Sequence, residues 1–290
     1  MKTRSWLFVP ADSDKKLDRA RESVADVLII DLEDSVAPGR KAIARQMAAG
    51  YLGELRERRS WQAYVRINPL TGADAMLDLA AIVGAGLDGV VLPKADGIAD
   101  VIRLGHCLDA LEARAGVKIG HTRILVVATE TAAAMLNLAS YQGSHPRLAG
   151  LTWGAEDLST ALGASSNREP DGALSHAYLM ARSMCLIAAG AAGVMPVDTL
   201  FADFRDADAL AADCLESRRR GFSGRIAIHP AQVEVINRCF SPGEADLAHA
   251  RAVVEAFATH PDVGTVGIDG KMYDRPHLLQ AMRTLALAEV

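Results

Sequence analysis

Eight short apolar runs constrain the fold of this chain more than any single motif. They are "WLFVP" (Trp6–Pro10), "VLIIDLED" (Val27–Asp34), "AYVRIN" (Ala63–Asn68), "GVVLPK" (Gly89–Lys94), "ILVVATE" (Ile124–Glu130), "LAGLTWGAED" (Leu148–Asp157), "GVMPVD" (Gly193–Asp198) and "RIAIHP" (Arg225–Pro230). Most are continuous rather than alternating, which is the pattern of parallel strands buried on both faces. Amphipathic stretches separate them, among them "DSDKKLDRARES", "DAMLDLAAIVGAG" and "VIRLGHCLDALEARAG", the last two closing on glycine. Eight strand–helix units within a 290-residue chain predict an α/β fold, a (β/α)₈ TIM barrel. The alternative, a doubly wound open sheet, calls for a glycine-rich loop after the first strand. That loop is "PADSDKK", without glycine.

The barrel is expected over residues 1–238, with 239–290 as a C-terminal helical and hairpin extension. Within the extension, Ser241 and Glu244 have capping-box spacing. Asp269-Gly270 between short apolar runs signals a hairpin. Asp274 precedes Arg275-Pro276 at the start of a last helix. This piece is too small to fold alone, so it is expected to pack on the barrel or on a neighbouring subunit.

A barrel places its chemistry at the C-terminal ends of its strands. Glu33, Asp34, Arg66, Lys94, Glu130, Asp157, Asp198 and His229 all fall there. Glu130 is the most telling, because it ends a buried run with no cation within three residues of it. An isolated buried carboxylate costs several kcal/mol, of the order of ~3–5 when a partner is removed. It therefore lines the mouth or is brought a positive charge. Glu130 and Asp157, on adjacent strand ends, can share a hard divalent cation such as Mg²⁺, which prefers oxygen and often takes only one or two protein carboxylates. Capping of the following helix is an equal reading of Asp157. Arg66 suits a substrate carboxylate or oxyanion, and equally an ion pair with Glu33 or Asp34. Lys94 has the chemistry of a Schiff-base lysine, but ion pairing with nearby acids is the commoner fate. Glu33, Asp34 and Lys94 are carried forward with Arg66 as candidate substrate contacts. His229, before Pro230, reads as a structural histidine.

The formal charge of −5 and the scattered Lys and Arg exclude the basic stripe of a nucleic-acid binder. Cys107, Cys185, Cys214 and Cys239 are far apart and form no C-x-x-C pair, so reduced thiols in a cytoplasmic protein are expected. Pro10, Asp12 and Asp14 interrupt the N-terminal apolar run too early for a signal peptide. The longest apolar stretch, "MCLIAAGAAGVMPV", is too short to span a bilayer, and no membrane partner is expected.

The segments "RSWLFVPADSDKKLDRA", "DLEDSV", "VRIN", "VVLPK", "TETAAAMLNL", "LTWGAEDLSTALGA" and "DGKMYDRP" run in order from end to end of the chain. Together they resemble the citrate lyase β-subunit-like branch of the HpcH/HpaI aldolase superfamily, which includes malyl-CoA and citramalyl-CoA lyases. The resemblance implies a Mg²⁺-dependent TIM barrel, a homotrimer or a multiple of it such as a hexamer. It implies cleavage or formation of a carbon–carbon bond in a 3-hydroxyacyl-CoA thioester, with pyruvate or glyoxylate and acetyl-CoA or a homologue as partners. By motif it places the metal ligands on Glu130 and Asp157 and the keto-acid arginine on Arg66. Asp274 matches the acid–base residue delivered into a neighbour's site; from the residues alone it is an N-cap worth about 1 kcal/mol. Lys15, Lys16 and Arg19 are candidates for the CoA phosphates, though a solvated helix face explains them equally. The chain departs from the pattern at "PADSDKK", where relatives often carry Pro-Gly, and at "TAAAMLNL", where Ala replaces a common Gly. Competing functions are a citrate lyase β subunit acting on a citryl thioester, a malyl-CoA thioesterase, and a non-catalytic scaffold barrel.

Overall fold

The computed structural model describes residues 2–55, 59–84, 86–143 and 145–289. All eight apolar runs form strands: β1 (Ser5–Pro10), β2 (Val27–Asp31), β3 (Gln62–Arg66), β4 (Gly89–Leu92), β5 (Arg123–Val127), β6 (Leu148–Thr152), β7 (Met195–Asp198) and β8 (Gly224–Ala227). Every neighbouring pair is parallel, and β1 pairs with both β2 and β8, so the sheet closes. Closure excludes the open doubly wound sheet.

The runs read as continuous because both faces of each strand are buried in different company. Trp6, Val27, Ile29, Tyr64, Val91, Leu125, Val127, Val197 and Ile226 fill the barrel interior. The alternate residues, such as Leu7, Leu28, Ile30, Val65, Val90, Ile124, Val126 and Leu151, pack outward under the helices. Each such side chain contributes roughly 1.5–3 kcal/mol on burial, so a one-residue slip in register would exchange two complementary surfaces.

The surrounding helices are α1 (Asp14–Arg21), α2 (Lys41–Gly53), α3 (Asp74–Ile82), α4 (Ile98–Ala115), α5 (Ala132–Asn137), α6 (Ala155–Leu162), α7 (His176–Ala192), α8 (Ala207–Arg220) and α9 (Val233–Phe240). Helix α4 closes on Gly116 in the left-handed region, as expected. Helix α3 does not close on glycine: Val83 stops it by turning extended. No described helix is long and apolar enough to cross a membrane.

Beyond α9 lie α10 (Glu244–Thr259), the hairpin β9 (Thr265–Ile268) and β10 (Lys271–Asp274), and α11 (Arg275–Glu289). The hairpin turns at Asp269 and Gly270, with φ of 49° and 74°, the left-handed pair that an Asp-Gly turn supplies. These elements share a small apolar cluster of Ala250, Val253, Phe257, Val266 and Ala281. Arg218 ties the extension to the barrel by meeting Asp246 Oδ2 at 2.6 Å and the Ser241 carbonyl at 3.1 Å. The expected Ser241/Glu244 capping box does not form. The Ser241 hydroxyl instead donates to the Asn237 carbonyl and accepts from Arg4, and α10 starts at Glu244, where Asp246 Oδ2 accepts the Gly243 N–H.

Candidate active site

Glu33, Asp34, Lys94, Glu130 and His229 lie two or three residues beyond their strand ends, on the first residues of the loops, and Asp157 lies further on, in α6. Arg66 is an exception. It closes β3 on the inward parity of Tyr64, and so does Asp31 at the end of β2. The two form a bidentate pair, Nε to Oδ1 and Nη2 to Oδ2, both 2.7 Å. Nη1 stands 2.8 Å from Glu33 Oε2, and the guanidinium lies over the Phe8 ring at 4.6 Å. Of the two partners expected for Arg66, Glu33 is confirmed, whereas Asp34 turns to Lys94 instead; Asp31 was not foreseen. Burial works against the Asp31 charge, but the Arg66 hydrogen bonds and charge, with the Ser35 side chain and the Glu33 N–H, hold it below the usual carboxylate range. Burial raises Glu33 above that range despite Arg66 and Lys94.

Lys94 follows β4 with φ of 51°, in the left-handed region. Its N–H donates to Glu130 Oε2 at 2.5 Å. Its ammonium bonds Glu33 and stands 3.2 Å from Asp34 Oδ2 and 3.3 Å from Asp157 Oδ1. These carboxylates keep it protonated well above the ordinary lysine range, against the effect of burial.

Glu130 is 4% exposed. Burial pushes its carboxyl up to about 8; the Lys94 N–H opposes the rise, and the nearby Asp157 and Glu33 charges add to it. Gly154, after β6, makes room for this side chain. A Cβ there would lie 3.1 Å from Glu130 Cγ and 3.4 Å from Val127 Cγ1. The Gly154 N–H is held by Thr129 Oγ1 at 3.1 Å. Asp157 sits in the first turn of α6, whose N-cap is Gly154, so it does not cap the helix. The positive end of the helix favours its charge.

Among the described residues, no three Asp, Glu, His or Cys side chains converge on one metal position. The donor set is two carboxylates, Glu130 and Asp157, beside a cavity of about 520 Å³. That set suits a hard cation which completes its shell with water and ligand oxygens. The under-compensated charge of Glu130 is the feature a cation would relieve. Phe8, Val91, Val127 and Ile226 give the cavity an apolar floor, with Arg66 at its edge.

Two further anticipated mouth residues take structural roles. Asp198 has the parity opposite to the inward Val197 and is buried behind the barrel wall. There it accepts from Trp153 Nε1 (2.6 Å), Arg182 Nη2 (2.5 Å) and Ser217 Oγ (2.6 Å). His229 is structural, as read: Nδ1 accepts the Ala231 N–H and the ring stacks on Phe204. Lys15, Lys16 and Arg19 lie on the exposed face of α1 and do not line the cavity. Asp274, at the end of β10, is half-buried and its Oδ1 lies 2.5 Å from His277 Nδ1, a hydrogen bond that lowers its pKa. Asp31, Phe8 and Gly154 were missed. Strand parity was the available signal for Asp31, because Val27 and Ile29 point inward two residues apart.

A closed parallel barrel with an acidic, cation-ready mouth beside an arginine defines the molecule as an α/β-barrel protein of enzyme type. The chain belongs to the HpcH/HpaI aldolase/citrate lyase family, whose sequence pattern matches residues 4–230. It is 35% identical over 288 residues to a (3S)-malyl-CoA thioesterase of Cereibacter sphaeroides, covering 99% of this chain and 94% of the relative. It is 31% identical to the citrate lyase subunit beta of Haemophilus influenzae, covering 99% and 97%. The crystal structure of CitE from Mycobacterium tuberculosis in complex with magnesium, acetoacetate and coenzyme A superposes with a TM-score of 0.81 at 34% identity, over 100% of this chain and 99% of that one.

Proposed function

We propose that this chain is a Mg²⁺-dependent carbon–carbon lyase. Its substrate is a 3-hydroxyacyl-CoA thioester of the citramalyl-CoA or malyl-CoA type, and its products are pyruvate or glyoxylate and acetyl-CoA or a homologue. The observation that carries this reading is the buried, under-compensated Glu130 beside Asp157, facing the same cavity as Arg66. The magnesium, coenzyme A and keto acid in the CitE complex support it.

Glu130 and Asp157 would hold Mg²⁺, which supplies Lewis-acid polarisation of a substrate oxygen. Arg66, aimed by its bidentate bond to Asp31, presents positive charge where the keto-acid oxyanion develops. Because Asp31 occupies Nε and Nη2, the substrate meets the remaining edge and face of the guanidinium. Glu33 and Asp34 hold Lys94 at the rim, and all three stand within reach of substrate polar groups. In cleavage the substrate hydroxyl gives its proton to solvent and becomes the keto-acid carbonyl as the carbon–carbon bond breaks, leaving an acyl-CoA enolate, and Asp274 is the group assigned to protonate the enolate carbon; in condensation the steps reverse and it removes that proton. Asp274 would reach the site as part of a lid, residues 239–290, laid over a neighbouring subunit of a homotrimer or hexamer. Lys16 and Arg19 are assigned to the CoA phosphates. A cytoplasmic location fits the four unpaired thiols.

A thioesterase reading has its own support in the (3S)-malyl-CoA thioesterase relative. The same metal site would then activate water against the thioester. A citrate lyase β-type reaction on a citryl thioester is the third possibility, supported by the Haemophilus relative. One assay separates them. Purified protein is given citramalyl-CoA, malyl-CoA or citryl-CoA with and without Mg²⁺, and keto acid and free thiol are measured separately. Keto acid without new thiol is the expected result. Free CoA without keto acid refutes the lyase in favour of the thioesterase, and neither product from any thioester refutes both.

A further inference from the structure

Lys94 adopts a backbone conformation that residues with a side chain rarely take, with φ of 51°. Both of its polar ends are used from that position. The N–H meets Glu130 Oε2, and the ammonium stands among Glu33, Asp34 and Asp157. Four carboxylates therefore surround one lysine. Among the described residues, the only other cation in contact with them is Arg66, through Glu33, and its guanidinium is already engaged on two nitrogens by Asp31. Without Lys94 the acids would repel one another in a partly desolvated mouth.

We propose that Lys94 is the resident counter-cation of the site. Its ammonium holds the carboxylates in place before a metal arrives and yields its position beside Asp157 when the divalent ion enters. Its backbone N–H stays with Glu130 throughout. Lys94 is thus a positioning residue that competes with the metal it prepares for, and the proposal rests on Glu130 and Asp157 being the metal ligands. Exchange of one cation for another leaves the acids a positive partner in both states, which explains why a lysine is tolerated where it opposes a second cation. Once displaced, the ammonium is free to meet the anionic end of a substrate.

The test uses the full-length protein, with Mg²⁺ alone as the probe. Lys94→Met removes the charge and keeps most of the side-chain volume. Lys94→Gly removes the charge, relaxes the left-handed backbone and keeps the N–H, so it decides the matter if the first variant fails to fold. Thermal unfolding is followed in EDTA and in saturating Mg²⁺, and Mg²⁺ affinity is measured by calorimetry. The expected result is a Tm loss in EDTA that Mg²⁺ largely repairs, with a Kd for Mg²⁺ about tenfold tighter than wild type, because a competing charge a few ångströms away is gone. An equal Tm loss with and without Mg²⁺ would mark an ordinary ion pair and overturn the proposal. So would an unchanged or weaker Mg²⁺ affinity in a variant when the wild type binds the metal. If the wild type binds no Mg²⁺, the ligand assignment fails first and the proposal with it, which keeps the two failures distinguishable.

Discussion

Replacing Glu130 with glutamine should stabilise the metal-free protein while removing its function. The carboxyl is 4% exposed, and burial with the neighbouring Asp157 and Glu33 charges raises it from 4.5 to about 8. In the unfolded chain it ionises near 4.5, whereas in the fold it keeps its proton to about 8. Between those values the folded state binds more protons, so metal-free stability falls as pH rises. The full interval of about 3.5 pH units, at roughly 1.4 kcal/mol per unit, sets a ceiling near 5 kcal/mol. Sharing of charge within the cluster brings the expected figure to roughly 2–5 kcal/mol. Glutamine keeps an oxygen for the Lys94 N–H and carries no charge to desolvate. In EDTA, Glu130→Gln and wild type should therefore unfold within about 1 kcal/mol of each other at pH 5. At pH 8.5 the variant should be the more stable by several kcal/mol, a Tm difference on the order of 5–10 °C. Saturating Mg²⁺ should reverse the order, because it holds the wild-type carboxylate ionised and gains little from the amide. Thermal melts over this pH range, with and without Mg²⁺, measure all of it. A wild-type-minus-variant difference that stays flat from pH 5 to 8.5 in EDTA would refute the reasoning, and with it the view of Glu130 as a carboxylate waiting for a cation.

Arg66→Lys should leave a folded protein with Tm lowered by a few degrees, because Asp31 loses a bidentate partner, and activity reduced on the order of 10²-fold; activity within tenfold of wild type would remove Arg66 from the chemistry. Asp274→Asn should keep its Tm and Mg²⁺ affinity and lose roughly 10²–10⁴-fold in activity. Subunit exchange between Asp274→Asn and Glu130→Gln proteins should restore part of it, and verified mixed oligomers without activity would confine the tail to its own barrel. Glu112, fully buried, is drawn down to about 2 despite its burial by Arg147 and by the Thr122 and Gly120 N–H groups. Its contribution, of the order of 3 kcal/mol, is present above pH 4.5 and lost as pH falls towards 2; Glu112→Gln should flatten that acid limb, and an unchanged acid limb would refute it.

How much of this was legible in the sequence depended on whether periodicity reached the residue in question. The eight strands were legible because two apolar surfaces, the interior and the helix layer, use every residue of each run. Within a strand, parity carries further. It sends Arg66 inward with Tyr64 and Asp31 inward with Ile29, and it sends Asp198 outward from Val197 into the Trp153–Arg182–Ser217 cluster. Treating "VLIIDLED" as one continuous strand hid the first pairing, and grouping all polar strand ends together hid the last. Parity ends where the strands end. Lys94, Glu130 and Asp157 lie beyond that point, where backbone turns rather than alternation set direction. Their convergence was expected from position in a barrel, but its means were not, since nothing about a lysine announces a left-handed backbone. A glycine at residue 94 would have drawn attention to the turn and removed the ammonium. The chain instead keeps a lysine in a strained conformation, which makes sense when the N–H and the ammonium are both needed there, one to aim Glu130 and the other to hold the acids together.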